Sequence, residues 1–501
     1  MSSNNVGIDL GTQGVRILVV DAAGRPLADA KRSWAIPNPE CAEHEQDSGS
    51  WWTSLLEAGD EAFAALAAND RSRIRGIAVA STSGSLLVCS GEGQALRPAI
   101  LHSDRRAWAE SADCNRASAT WRESSGFQFR ATFSLPKLLW IRKNEPTVWQ
   151  QIQHALHPAD WLTGKLCGCW GRSDETNVLK LGYDLVNRRW PDFFGKLGVP
   201  GQVLPQVQPS GRLVGALLPD LARRWNLGAH VVIASGITDS NAVHLSSGSV
   251  AEGEWTTTIG TAMGIKGIVS RPVPDASGSF YCHRHPDGLW ILGGASNVGG
   301  AALNRGFGLA NLRKLETSLP TPRRTEYMVY PLEGVGDWFP LSWPMARRLE
   351  FGERPNIAER LLATYEGMAF IERWAYDRLV AMGVEVDSVT AAGGTNSSAA
   401  FLAMRATLLP RPLRTVENCC AAKGAAMLAA MAAEHEPLAR IAARMANAST
   451  LISPVPADRQ YLESKYRRFV DALTREFGAT SLPGETTENL NHLNAGLTHA
   501  T

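Results

Sequence analysis

Residues 6–21, VGIDLGTQGVRILVVD, constrain this chain more than any other stretch. Two apolar runs, 6–8 and 15–20, flank a turn of glycine and small polar residues, and an arginine, Arg16, enters the second run. The pattern reads as a β-hairpin. Gly11 and Gly14 accept backbone conformations that Cβ-bearing residues resist, so amides around Thr12 can converge on an anion. Asp9 beside them suits a phosphate site if a hydrated Mg²⁺ lies between carboxylate and phosphate. An ordinary tight hairpin explains Asp-x-Gly-Thr about as well. The unit then returns: residues 255–268 read WTTTIGTAMGIKGI, β-branched and apolar residues around Gly260-Thr261 and a further glycine. Two such units on opposite halves of the chain read as a duplicated phosphate clamp.

At 501 residues the chain exceeds one ordinary core, and two domains of about 230 to 250 residues are expected. Lys and Arg number 50 against 49 Asp and Glu, a formal net charge of +1, so charge gives no reason to expect a nucleic-acid or membrane-surface partner. The start MSSNNVGIDL lacks a basic segment followed by an apolar core, and no apolar run has the length of a membrane span. Eight scattered cysteines fit a reduced, cytoplasmic protein. His154, His157, Cys167 and Cys169 cluster in sequence, but Cys-x-Cys is not the spacing of the common structural zinc sites. A helix ending at Gly164 with a strand after it is the simpler reading there.

A helix beginning near Trp51 places Trp52, Leu55, Leu56, Phe63 and Leu66 near helical spacing, with Ser50 as its N-cap. It follows the polar, proline-punctuated residues 37–50. Residues 74–80 read as a buried strand broken by Ser81-Thr82-Ser83-Gly84-Ser85, which composition alone makes a turn bonding its own backbone. Asp104, between His102 and Arg105-Arg106, suits either a hydroxyl clamp or a surface ion pair. Residues 132–144 form a helix with Pro136 near its start. A strand over 230–234 runs into Asp239 at a helix N-terminus, where an isolated aspartate is by default a cap. Residues 356–382 and 458–477 give two further helices, and the strand over 386–392 leads into Gly393-Gly394-Thr395-Asn396. Strand, glycine turn and helix N-terminus let a backbone approach a nucleotide closely. Neither a Walker A sequence nor a full Rossmann fingerprint occurs.

Taken in order, the first hairpin, Gly236-Ile237-Thr238-Asp239-Ser240, the second Gly-Thr hairpin and Ala391-Ala392-Gly393-Gly394-Thr395-Asn396 resemble the FGGY carbohydrate kinases over about residues 6–433. That resemblance implies an α/β fold of two actin-like, ribonuclease H-like domains around a catalytic cleft. Residues 1–248 would hold the sugar, residues 249–478 the ATP, and 479–501 would be a disordered tail. It further implies Asp239 as catalytic base and sugar contact, Asp9 as the Mg²⁺ ligand, and Gly11, Thr12, Arg16, Gly260 and Thr261 around the phosphates. Gly393, Gly394 and Asn396 would lie along the adenosine, and Ser83, Gly84 and Asp104 along the sugar. Glycerol kinases carry Arg-Glu and xylulokinases Met-His where this chain has Ser83-Gly84, which resembles the ribulose-type kinases. The expected activity is phosphorylation of a ketopentose, D-ribulose first. Xylulose, another ketose or polyol, or a sugar-responsive weak ATPase are the alternatives. Partners are the sugar and ATP, with a homodimer left open.

Overall fold

The computed structural model describes residues 3–35, 43–320, 322–446 and 449–478. The tail expected at 479–501 and residues 37–42 of the polar stretch lie outside them. The opening hairpin forms as β1 (Asn4–Gly11) and β2 (Gly14–Val20), antiparallel, with Gly11 opposite Gly14 at the closed end. Strand β3 (Pro26–Ser33) continues the meander, and β4 (Ile74–Ser81) joins β1 on its other side in parallel. Strands β5 (Leu213–Ala216), β6 (Val232–Ala234) and β7 (Ile237–Thr238) complete a seven-stranded mixed sheet in the order β5-β6-β4-β1-β2-β3, with β7 also on β4. Both faces of β1 are covered, yet its sequence alternates: Val6, Ile8 and Leu10 point to one face, and Asn5, Gly7 and Asp9 to the other, where small and polar residues leave room for a closely packed helix.

One face is covered by helix α1 (Ser48–Ala64), which lies on β2 and β3; its Trp51, Leu55, Ala58 and Ala62 share one buried core with Val6, Ile8 and Leu10. The helix starts earlier than the sequence suggests. Its cap is Asp47, whose carboxylate accepts from the Ser50 amide at 2.9 Å, and its buried tryptophan is Trp51 instead of Trp52. The helix expected from residue 132 runs as α2 (Ser134–Asn144), and that after Thr238 as α3 (Asp239–Ser246). The segment expected to end at Gly164 remains helical to Cys167, where Gly168 at φ 75° ends it.

The second half repeats the plan. Strands β8 (Glu254–Ile259) and β9 (Met263–Val269) form the second Gly-Thr hairpin, followed by β10 (Tyr281–Arg284) and β11 (Trp290–Ser296). Helices α4 (Gly300–Phe307) and α5 (Ile357–Ala381) come next, then β12 (Ser388–Ala392), α6 (Ala399–Leu408), β13 (Leu413–Val416) and β14 (Ser449–Leu451). The sheet order is β10-β11-β9-β8-β12-β13-β14, with β12 parallel to β8 as β4 is to β1. The two glycine-threonine turns therefore occupy equivalent corners of two α/β domains. Between α5 and α6 a fully buried fork joins Arg405 to Glu372 with both bonds at 2.7 Å.

Helix α7 (Ala421–Glu434) comes from the second half in sequence but lies on β1 and β4 of the first sheet and beside α3. Its backbone approaches so closely that a Cβ at Gly7 would overlap the Ala422 carbonyl, and one at Gly76 the Ala429 carbonyl. A Cβ at Gly424 would overlap the Ala242 carbonyl of α3. The last helix, α8 (Pro456–Phe477), packs on α5 and α6. Among the described residues no helix is long and apolar enough to cross a membrane.

Because backbone cannot yield as a side chain tip does, Gly7→Ala should lower the thermal unfolding midpoint by roughly 2–10 °C, the overpacking cost of about 1–3 kcal/mol. Gly195→Ala, whose methyl would meet nothing within 4 Å, should leave it unchanged. Differential scanning fluorimetry of the two variants checks this.

Candidate active site

Side chains alternate along a strand, so Asp9 shares the Gly7 face of β1, the face covered by α7. The adjoining turn is held from outside. The Thr12 carbonyl accepts from Trp34 Nε1 at 2.9 Å and Gln46 Nε2 at 3.0 Å, and Gln46 accepts in turn from Trp51 Nε1 at 2.9 Å. Neither Gly11 nor Gly14 has a positive φ, contrary to the expectation of special backbone conformations. At Gly14 bareness serves close approach instead, since a Cβ there would overlap the Arg32 carbonyl; one on Gly11 would meet only Gly14 O at 3.8 Å, an ordinary contact. An open groove runs over this turn, lined by Asp9, Gly11, Thr12, Arg16 and Lys31. Arg16 lies opposite Asp9 but commits two nitrogens to Asp29, at 2.9 and 2.7 Å. Its expected place at a phosphate is thus shared with a second carboxylate.

Asp239 reaches the same end of the sheet by another route. Ala80 of β4 pairs with Asp9 on one side and with Ile237 on the other, and Ser81 pairs with Thr238. The two carboxylates thus emerge on strands flanking β4, about 10 Å apart by strand spacing. Asp239 is the first residue of α3, and its Oδ1 accepts from the Ser240 amide at 2.6 Å. A buried loop absent from the sequence reading fixes the approach: the Thr238 amide donates to Thr176 Oγ1 at 2.9 Å, and Thr176 donates to Asp174. The only sequence signal was a polar run, Ser173-Asp174-Glu175-Thr176-Asn177, inside an apolar surrounding.

Both carboxylates keep a half-buried surface yet are ringed by protein. Burial pushes the Asp9 carboxyl up to about 7, the Asp239 charge adds to this, and Arg16 opposes it. Burial raises Asp239 as well, against the Ser240 amide, Lys180 and Lys266. Among the described residues Asp9 has no hydrogen-bond donor of its own. An unsatisfied carboxylate beside an open turn fits a hydrated Mg²⁺, which needs only one or two protein carboxylates.

On the third side, Gly84 adopts φ 94° and a Cβ there would stand 3.0 Å from both the Lys180 stem and Thr132 O. Ser83 Oγ is buried without a partner. Fully buried Lys137 ties this turn together, donating to Gly84 O at 2.9 Å, Leu101 O at 2.6 Å and Thr132 O at 2.7 Å. Asp104 does not fit the expected direct sugar contact. It has no exposed surface, and its oxygens accept from the His44 amide at 2.7 Å, the Arg106 amide at 2.9 Å and the Arg106 guanidinium. All its acceptor capacity is spent inside the protein, so it shapes the loop behind the pocket.

In the second domain the Gly260 carbonyl accepts from the Gly300 amide at 2.7 Å and that of Thr261 from Ala301 at 3.1 Å, which fastens the turn to the start of α4. Gly260 and Thr261 themselves are exposed. Gly393, at φ 96°, crosses directly over the Ile259 carbonyl, which also accepts from Thr395 Oγ1 at 3.2 Å. Gly394 borders open space. Asn396 donates to Ala391 O at 2.8 Å and leaves its own Oδ1 buried and unpartnered, an acceptor waiting for a donor.

The N-terminal domain of the FGGY family of carbohydrate kinases matches residues 5–246, and its C-terminal domain residues 258–433. The chain belongs to this family. It is an ATP-dependent sugar phosphotransferase. It is similar to the xylulose kinase of Escherichia coli (strain K12), 26% identical over 448 residues, covering 86% of this chain and 90% of that protein. The xylulose kinase of Klebsiella pneumoniae is 27% identical over 477 residues, 91% and 94% of the two chains. A solved structure described as a "xyloylose kinase" from Brucella ovis superposes with a TM-score of 0.87 at 26% identity, covering 95% of this kinase and 100% of that chain.

A carboxyl raised in the folded state binds its proton more tightly there than in the unfolded chain, so Asp9 withdraws stability from the ligand-free kinase as pH rises from about 4 to about 7. Asp9→Asn should therefore raise the unfolding midpoint at pH 8, flatten its fall between pH 5 and 8, and abolish turnover. A thermal denaturation series across pH tests the first two points.

Proposed function

We propose that this kinase transfers the γ-phosphoryl group of ATP to a hydroxyl of a ketopentose, with Asp239 as the base and Asp9 as the ligand of Mg²⁺. The observation that carries the reading is the pair of raised, half-buried carboxylates on either side of β4, one beside a glycine-threonine turn and one at a helix N-terminus. Phosphoryl transfer asks a protein chiefly to position two oxygens in line and to neutralise charge. Asp239 orients the attacking hydroxyl and takes its proton. Gly11, Thr12 and the uncommitted part of Arg16 face the transferring group, and Gly260 and Thr261 face the remaining phosphates. Gly393, Gly394 and the open Oδ1 of Asn396 line the adenosine. A cation held by Asp9 would supply charge neutralisation at the ATP phosphates. Approach of the two turns would exclude water and limit futile ATP hydrolysis.

Ser83 Oγ, buried and unpartnered, is the donor and acceptor proposed for a sugar hydroxyl, with Gly84 giving room for it. On the Ser83-Gly84 pair we place D-ribulose first; the names of the relatives put xylulose second. ADP release with Mg-ATP should rise at least tenfold with one member of a panel of D- and L-ribulose, D- and L-xylulose, sedoheptulose, erythritol and glycerol. Asp239→Asn should lose about 10²–10⁴-fold of that rate while still binding ATP. Undiminished turnover in that variant would remove Asp239 from the role of base.

A further inference from the structure

Three cations stand on the acceptor side of Asp239 with no ion-pair partner among the described residues. Lys180 crosses the Ser83-Gly84 turn, donates to Ser83 O at 3.1 Å and lies 5.0 Å from the Phe133 ring centroid. Arg130 flanks the same ring at 5.8 Å, lies 4.7 Å from the Trp338 ring and donates to Gly278 O at 2.7 Å. Lys266 arrives from the second domain, 6% exposed, with Nζ 3.4 Å from His283 Nδ1 and 5.3 Å from the Tyr281 ring centroid. In the second hairpin it holds the place that Arg16 holds in the first, two residues past the second glycine.

Each ammonium has three donors and, here, one acceptor apiece. Lys180 opposes the charge on Lys266, and both act on Asp239 and on the Tyr281 phenol. Asp275 and Asp337 act on Arg130, which leaves Asp239 as the one carboxylate facing both lysines; it cannot balance the two in a place poor in water, and a neutral polyol adds no charge to help. Ser83 Oγ and His283 Nε2, buried and unpartnered, offer further contacts. The like charges come from opposite domains, so an anion between them would also draw the domains together.

We propose that Lys180 and Lys266, supported by Arg130, bind an oxyanion carried by the acceptor-side ligand next to Asp239. The assignment rests on the kinase reading for which ligand this is. An oxyanion can enter in two ways: as the phosphoryl group once it is on the sugar, or as a carboxylate on an acidic sugar.

Titration calorimetry on the full-length, nucleotide-free protein separates them, using D-ribulose, D-ribulose 5-phosphate and the five-carbon acid D-ribonate as probes. The wild type should bind at least one of the two anions tenfold or more tightly than the neutral sugar. Lys180→Met and Lys266→Met should each erase that preference, and Lys180→Arg and Lys266→Arg should keep most of it, which also controls for misfolding. Preference for the phosphate alone assigns the clamp to the transferred group. Preference for the acid, matched by a higher kcat/KM for it in ADP release, assigns the clamp to an acidic acceptor. Equal affinities for all three probes, or a preference that survives both methionine variants, overturns the proposal. An anion preference without ADP release from any acceptor would instead leave the clamp standing and sink the kinase assignment of substrate.

Discussion

Helix α7 meets β1 and β4 backbone to backbone, through Gly7 and Gly76 on the strands, and meets α3 through its own Gly424. The geometry of the cleft depends on that contact. It fixes the face of β1 from which Asp9 projects, it sets α3 and hence Asp239 at its N-terminus, and it ties a helix from the second half of the chain to the first sheet. Side chains of any size at these three positions would push the helix outward and separate the parts that carry the chemistry. The alanine-rich sequence of α7 follows from the same need, since small side chains permit short interaxial distances and lose no rotamer entropy when buried.

Against that rigid base the site holds charge at a cost. Two carboxylates with raised proton affinity flank one strand end, and cations without carboxylate partners face one of them. An isolated stability criterion would remove such groups. On the proposed reading, phosphoryl transfer would supply what they lack: a cation for Asp9, a proton for Asp239 and oxyanions for the lysines. Some other buried charges are paired within the chain, as the Arg405–Glu372 fork and the Lys465–Glu366 contact at 2.6 Å illustrate.

Much of the architecture was legible because it repeats. The Gly-Thr hairpin and its second copy announced two sheets, and each sheet formed with that hairpin followed by a parallel partner. Glycine meaning was legible only in part. Gly393 makes the close approach its motif suggests, over the Ile259 carbonyl, and does so at positive φ; Gly11 and Gly14 have no positive φ, and only Gly14 approaches another backbone closely. The family resemblance implies Arg16 at a phosphate and Asp104 at the sugar, and a motif does not say what else is within reach of its residues. Asp29 holds one, and His44 and Arg106 exhaust the other. Lys180 has no local pattern to mark it, whereas Asp174 lies in a polar run and Lys266 at the position of Arg16 in the repeated hairpin, signals whose meaning only the fold supplies.

Local sequence alone determined the hairpins, the order of the motifs and, through them, the family. These rest on interactions between residues close in the chain: alternation of apolar side chains, glycine at a turn, aspartate at a helix N-terminus. Which face Asp9 occupies, that α7 crosses to the first sheet, and that a lysine from each domain stands beside Asp239 were decided by folding. Those facts depend on contacts between segments up to several hundred residues apart, and backbone register and helix approach, which local composition does not encode, set them.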